Sequence, residues 1–191
     1  MVRRRFRLAG VAAGALLAAG PSVAQEFYAG GSIGLGNLDV DTSYGFGSSG
    51  DSRALALFGG ARFTLGGTPG AGFYVGAEAE IFRAAGFGGG TFEGYEGIDD
   101  KVQGMQAELH LGYAMDRMRF YGFVGRGRND VNGLWIEGST GSDIYGIGAE
   151  LGIRDNLALR VEHAISRMQV DACSSYEVDR RDFSVGLVFG F

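Results

Sequence analysis

Residues 73–82 read Phe73-Tyr74-Val75-Gly76-Ala77-Glu78-Ala79-Glu80-Ile81-Phe82. Phe73, Val75, Ala77, Ala79 and Ile81 share one parity; Tyr74, Gly76, Glu78, Glu80 and Phe82 share the other. Apolar residues at every second position mark a strand with two unlike faces. One face here is wholly apolar. The other mixes carboxylates, glycine and rings.

The pattern recurs on both sides. Phe27, Ala29, Gly31, Ile33 and Leu35 oppose Tyr28, Gly30, Ser32, Gly34 and Gly36, and Leu55, Leu57, Gly59, Ala61, Phe63 and Leu65 oppose Ala54, Ala56, Phe58, Gly60, Arg62 and Thr64. Met105 through Met115 alternates with Gln106, Glu108, His110 and Gly112. A fifth segment sets Tyr121, Phe123 and Gly125 against Gly122, Val124, Arg126 and Arg128, and a sixth sets Tyr145, Ile147, Ala149, Leu151 and Ile153 against Gly146, Gly148, Glu150 and Gly152. Leu157, Leu159, Val161 and Ile165 oppose Ala158, Arg160, Glu162 and Ala164; Phe183, Val185, Leu187, Phe189 and Phe191 close the chain against Ser184, Gly186, Val188 and Gly190. Short connections are expected at 66–72, 116–118 and 155–156, and long ones near 38–52, 84–100, 129–142 and 167–181. An even set of eight strands of about ten residues, with short turns on one rim and long loops on the other, predicts a transmembrane barrel. The expected fold class is therefore all-β: an eight-stranded antiparallel transmembrane β-barrel with short periplasmic turns and four long extracellular loops.

Composition agrees. Of 191 residues 36 are Gly, without a Gly-X-Y period, and 46% are hydrophobic, which excludes collagen and a disordered chain. The lone Cys173 excludes a disulfide framework and a clustered-thiolate metal site. Alone in an oxidising compartment, it is either an unpaired thiol or a site of intermolecular pairing. Arg3, Arg4, Arg5 and Arg7 precede the apolar Leu8–Ala19, and Ser22-Val23-Ala24 supplies small residues around a cut between Ala24 and Gln25. That is the layout of a secretory signal peptide over 1–24, leaving 25–191 as one barrel domain. Removing the four arginines leaves 13 basic against 22 acidic residues, a net charge of −9. Nucleic acid is excluded as a partner on electrostatic grounds. Lys101 is the only lysine, whereas a water-soluble surface mixes many with glutamate.

The polar face belongs inside. Its glycines would cover nothing in water, but in a narrow barrel they make room for large neighbours. The expected lumen network is Arg62, Glu78, Glu80, Glu108, His110, Arg126, Arg128, Glu150, Arg160 and Glu162. Buried charges persist only when paired. The hairpins suggest Glu108 opposite Arg126, Glu150 facing Arg160 or Glu162, and Arg62 diagonal to Glu78. The set reads as a polar plug, with a proton or ion path as the functional alternative.

Catalytic and cofactor signals are weak. Gly34-x-Gly36 and Gly146-x-Gly148 lack the third glycine and following helix of a nucleotide loop. His110 and His163 lack metal-ligand spacing, so no cofactor and no metal are expected. In His163-Ala164-Ile165-Ser166 a spacing of three puts the pair on opposite faces of a strand. Nucleophile and base would be out of reach. Acidic residues Glu93, Glu96, Asp99, Asp100, Asp171, Glu177 and Asp179 fall in the expected loops, where they fit no calcium loop and read as a solvated rim. Bridging divalent cations to lipopolysaccharide phosphates is the functional alternative. Tyr44, Phe46, Phe87, Phe92, Tyr95, Trp135 and Tyr176 give the loop tips adhesive potential.

The C-terminal Asp182-Phe183-Ser184-Val185-Gly186-Leu187-Val188-Phe189-Gly190-Phe191 and the run Leu157–His163 resemble the small outer-membrane β-barrel family of Gram-negative bacteria. That group includes the transmembrane domain of outer membrane protein A and the opacity-type surface proteins. The resemblance covers 27–191, with His163 where Tyr is usual. It implies that Phe183, Val185, Leu187, Phe189 and Phe191 form the signal read by the barrel assembly machinery, with periplasmic chaperones as transient partners. It also implies an outer-membrane location among lipid and lipopolysaccharide. With Phe191 ending the chain, no peptidoglycan-binding domain is expected to follow. The expected function is a non-enzymatic barrel displaying loops for envelope integrity and adhesion to a host or cell-surface ligand. The alternatives are a narrow porin-like channel and a lipid A-modifying enzyme.

Overall fold

A computed structural model describes residues 25–42, 47–68, 71–85, 101–132, 137–171 and 175–191. Eight strands are present among them: β1 (Gln25–Thr42), β2 (Gly47–Thr68), β3 (Ala71–Ala85), β4 (Lys101–Met115), β5 (Met118–Asn132), β6 (Glu137–Arg154), β7 (Leu157–Asp171) and β8 (Ser175–Gly190). Each pairs antiparallel with its sequence neighbours, and β1 also pairs with β8, closing the barrel. Closure leaves no unpaired edge, as a spanning sheet requires.

The strands hold 15 to 22 residues, more than the ten or so needed to cross a bilayer. Pairing therefore continues through much of what the alternation assigned to long loops. Ladder bonds depend on the backbone alone, so they persist where the Gly-, Ser- and Asp-rich sequence no longer alternates. The signal segment, Pro69, Cys173, the acids Glu93, Glu96, Asp99 and Asp100, and the loop aromatics other than Tyr176 lie outside the described residues, as do the side chains of Tyr176, Asp171 and Glu177.

The apolar parity faces out. Ile33, Leu35, Leu55, Leu57, Ile81, Leu109, Leu111, Ile147 and Phe183 are all exposed. On β4 this band runs from Met105 to Met115, ten residue steps. At about 3.4 Å per residue and a tilt of about 40°, it covers about 26 Å along the membrane normal.

The fifth strand corrects the sequence reading. Its turn is Asp116-Arg117, two residues rather than three, with Met115 paired to Met118 and Asp116 at φ 51°. Asp tolerates that left-handed conformation because its short polar side chain can bond locally. A one-residue change of turn flips every side chain on the following strand. Tyr121 and Phe123 therefore point inward and are buried, while Val124, Arg126 and Arg128 point outward.

Inside, each buried ring meets a glycine directly across the ladder. The pairs are Tyr28–Gly60, Phe58–Gly30, Tyr74–Gly112, Phe82–Gly104, Tyr121–Gly148 and Phe123–Gly146. A Cβ on Gly112 would stand 2.6 Å from Tyr74 Cζ, and one on Gly148 2.6 Å from Tyr121 Cε2. The lumen glycines are thus seats for rings, which fill a bore too narrow for two large side chains side by side. Outward-facing Gly122 differs: a Cβ there would have its nearest neighbour at 3.7 Å. Gly148→Val is expected to destabilise by about 1–3 kcal/mol through overpacking, and Gly122→Val by far less. Urea unfolding of the two variants in micelles, followed by the mobility shift of unboiled protein, checks the contrast.

Candidate functional site: the lumen plug

Every strand except β4 and β8 sends a charge into one cluster on the turn side of the lumen. Arg160, on β7, is the hub. Its Nη1 donates to Glu78 Oε1 at 3.0 Å and Oε2 at 2.8 Å, and its Nε to Glu150 Oε1 at 2.9 Å. Glu162 Oε1 lies 3.5 Å from Nη1 and accepts from the Tyr121 hydroxyl at 2.6 Å. The guanidinium also sits 4.1 Å from the Phe58 ring centroid. Arg62 donates to Glu150 Oε1 at 2.5 Å and stacks 3.9 Å over Tyr28. Arginine suits this place, since a planar fork can chelate a carboxylate while its face lies on a ring.

On the loop side a second layer follows. Gln106 Nε2 donates to Glu80 and to Glu108, both at 2.9 Å. His110 Nε2 is 3.1 Å from Glu108 Oε2, and its ring stacks on Tyr121 at 5.0 Å and 9°. Arg180 pairs with Asp182 at 2.6 Å and lies 4.6 Å over Phe82. Glu78, Glu108 and His110 offer ligand atoms within 4.8 Å of one another, a possible seat for a cation. Both oxygens of Glu78 are already held by Arg160, however, and Glu108 by His110 and Gln106.

Of the ten residues expected in the lumen, the structure brings eight together: Arg62, Glu78, Glu80, Glu108, His110, Glu150, Arg160 and Glu162. Arg126 and Arg128 are not among them. The two-residue turn puts Gly125, not Arg126, opposite Glu108. Arg126 is 86% exposed and pairs with Asp143 at 2.9 Å, while Arg128 Nε donates to Ser139 Oγ at 2.6 Å. Glu150 does lie opposite Arg160, and Glu78 is diagonal to Arg62. Arg62 nevertheless bonds Glu150 across the lumen rather than Glu78 along its hairpin. Four members escaped the sequence reading: Glu26, Arg119, Arg180 and Asp182. Arg119 bonds Glu26 at 2.7 Å and Glu150 at 3.4 Å. Glu26 shares parity with Tyr28, and Arg180 and Asp182 share parity with Ser184, so extending those strands would have found them. Arg119 was hidden by the inverted fifth strand.

Small spaces lie at both ends of the plug. A cavity of about 170 Å³ at the turn-side mouth is bounded by Arg62 and Tyr74. One of about 50 Å³ on the loop side touches Glu80, Glu108, Phe123 and Glu162. His163 and Ser166 fall on opposite faces: His163 is exposed outside, with Nδ1 3.1 Å from the Asp182 carbonyl oxygen, and Ser166 is buried inside.

An apolar exterior around a paired ionic lumen defines a transmembrane β-barrel. The chain belongs to the outer membrane protein beta-barrel domain family, whose model matches residues 9–191. Among solved structures it is similar to Neisserial surface protein A, at TM-score 0.54 and 13% identity, covering 86% of this chain and 97% of that one. It is also similar to Ail, the attachment invasion locus protein of Yersinia pestis, in complex with the heparin analogue sucrose octasulfate. There the TM-score is 0.50 at 16% identity, covering 86% and 99%. No curated protein matches the sequence. The protein is thus a barrel of the Gram-negative outer membrane.

Removing one partner of a buried ion pair costs about 3–5 kcal/mol, and breaking an exposed pair at most about 1. Arg160→Ala is therefore expected to lower unfolding free energy in micelles by several kcal/mol, and Arg126→Ala by less than about 1. Denaturant titration of both variants checks the assignment of inside and outside.

Proposed function

We propose that the barrel is a non-enzymatic scaffold that presents its loop-side connections at the cell surface, contributing to envelope integrity and to adhesion. The observation that carries this reading is the plug: Arg160 and Arg62 with their carboxylates and rings occupy the bore at one level. A narrow channel would require that layer to open, breaking several buried pairs at once. A lipid A-modifying activity would require His163 and Ser166 on one face, and they lie on opposite ones. The outward row Phe183, Val185, Leu187 and Phe189, ending at Phe191, supports recognition by the barrel assembly machinery during biogenesis, after delivery by periplasmic chaperones. Phe183, Val185, Leu187 and Phe189 are exposed together on one face of β8, with Phe191 just beyond its end.

The surface ligand is proposed to be a host or cell-surface component. Ail, a structural neighbour, is known with a heparin analogue, so sulfated glycan is the first probe to use. The purified protein in planar bilayers is expected to give no discrete conductance steps. Intact cells displaying it are expected to bind immobilised host cells or heparin. Replacing residues 87–99 by a short Gly-Ser turn should reduce that binding to background. Stepwise conductance would instead support the channel, and a mass change in lipid A of expressing cells would support the enzyme.

A further inference from the structure

Charge inside the barrel is unevenly matched. The turn-side cluster sets Arg62, Arg119 and Arg160 against Glu26, Glu78, Glu150 and Glu162. On the loop side Arg180 offsets Asp182. Glu80 and Glu108 remain, and neither forms an ion pair with an arginine among the described residues. The shortfall therefore falls on the loop-side layer. His110, beside Glu108, can offset one charge at most. Carboxylates left uncompensated in a water-poor bore are costly, so this layer calls for a further positive charge.

The cavity of about 50 Å³ on the loop side is where that charge fits. Glu80, Glu108 and Glu162 line it, together with the hydroxyls of Ser32 and Ser166. Ser32 and Ser166 are each only 8% exposed, and neither side chain has a hydrogen-bond partner among the described residues. A buried hydroxyl without a partner is itself a deficit, and two of them face the same small space. The carboxylates are also half used. Glu80 accepts from Gln106 through Oε1, and Glu162 accepts from Tyr121 through Oε1. Oε2 of each is without a partner among the described residues. These oxygens are distinct from the Glu78–Glu108–His110 group, whose carboxylates are already engaged.

We propose that this chamber binds one hard divalent cation, calcium in preference to magnesium, through Glu80, Glu162, Ser32 and Ser166, with Glu108 adding charge. The donor set is all oxygen, which selects a hard ion over a transition metal. Two uncompensated carboxylates match a charge of two. Calcium accepts irregular coordination completed by water, whereas magnesium demands a near-ideal octahedron and dehydrates reluctantly. A cavity needs about 10–15 Å³ to hold a water, so this one has room for an ion and some of its hydration. Ser32 lies on β1, Glu80 on β3, and Glu162 and Ser166 on β7. An ion held by all four ties distant walls of the cylinder together and stabilises the closed barrel by mass action. The inference is independent of the adhesive reading, because the chamber lies inside the wall and not in the connections above it.

The test uses the folded mature chain in non-ionic micelles, stripped with a chelator and titrated with calcium chloride or magnesium chloride by calorimetry. One calcium per barrel is expected, bound at least tenfold more tightly than magnesium. Calcium at about a hundred times its dissociation constant should shift the urea unfolding equilibrium about a hundredfold towards the barrel. E80Q/S166A should lose at least tenfold in calcium affinity and keep the unboiled gel mobility of a folded barrel. E26Q, on the turn side, should bind as wild type, and so should a chain with residues 87–99 replaced by a Gly-Ser turn. Unchanged affinity in E80Q/S166A, or loss of binding with the loop replacement, would overturn the proposal. So would the absence of saturable calcium binding above neutral pH, since protons would then be what neutralises Glu80 and Glu108. Magnesium binding as tight as calcium would overturn the choice of ion.

Discussion

The structure depends on keeping charge inside a closed sheet. Arg160 is 1% exposed and surrounded by Glu78, Glu150 and Glu162. An arginine in that position is tolerable because carboxylates surround it: Glu162 from its own strand β7, Glu150 across the hairpin on β6, and Glu78 from β3 once the barrel closes. Glu78 lies 82 positions from Arg160 and Glu150 lies 88 from Arg62, so those pairs form together with the cylinder. The same burial explains the ring–glycine seats. Tyr28, Phe58 and Tyr121 pack around the two guanidinium groups, and each needs a glycine opposite to fit.

Most of the architecture was legible because two solvents meet across one sheet. On β3, β4 and β8 the outward parity stays apolar for the whole crossing, so period two alone gave both strand and face. On β5 it failed for a physical reason. Tyr121 and Phe123 are as hydrophobic as lipid-facing residues, yet they serve inside, where Tyr121 bonds Glu162 and both rings pack with His110. Arg126 and Arg128, above the bilayer edge, resemble lumen charges in sequence. Deciding between the faces required knowing that Asp116 adopts a positive φ and closes the turn in two residues.

Partner choice in the lumen was only partly readable. Glu150 with Arg160 is a local hairpin pair and follows from the turn at 155–156. Arg62 with Glu150 and Arg160 with Glu78 join residues 88 and 82 positions apart. No spacing encodes those contacts, because barrel closure brings them together. The exterior has a similar division. The apolar band was evident, whereas exterior ion pairs such as Arg126 with Asp143 follow from the register of β5 on β6. Arginine pairs with carboxylates on both sides of the wall: buried within, as Arg160 with Glu78, and exposed outside, as Arg126 with Asp143.

The account stands on the buried ion pairs as a coupled unit. The most direct measurement is a double-mutant cycle on Arg160 and Glu78, using Arg160→Met and Glu78→Gln, with unfolding free energy measured by reversible urea titration in lipid. A coupling energy of at least about 1.5 kcal/mol is predicted, since the two residues share a chelating contact in a water-poor bore. Additivity within about 0.5 kcal/mol would contradict it, and would mean that the barrel stays closed without the plug.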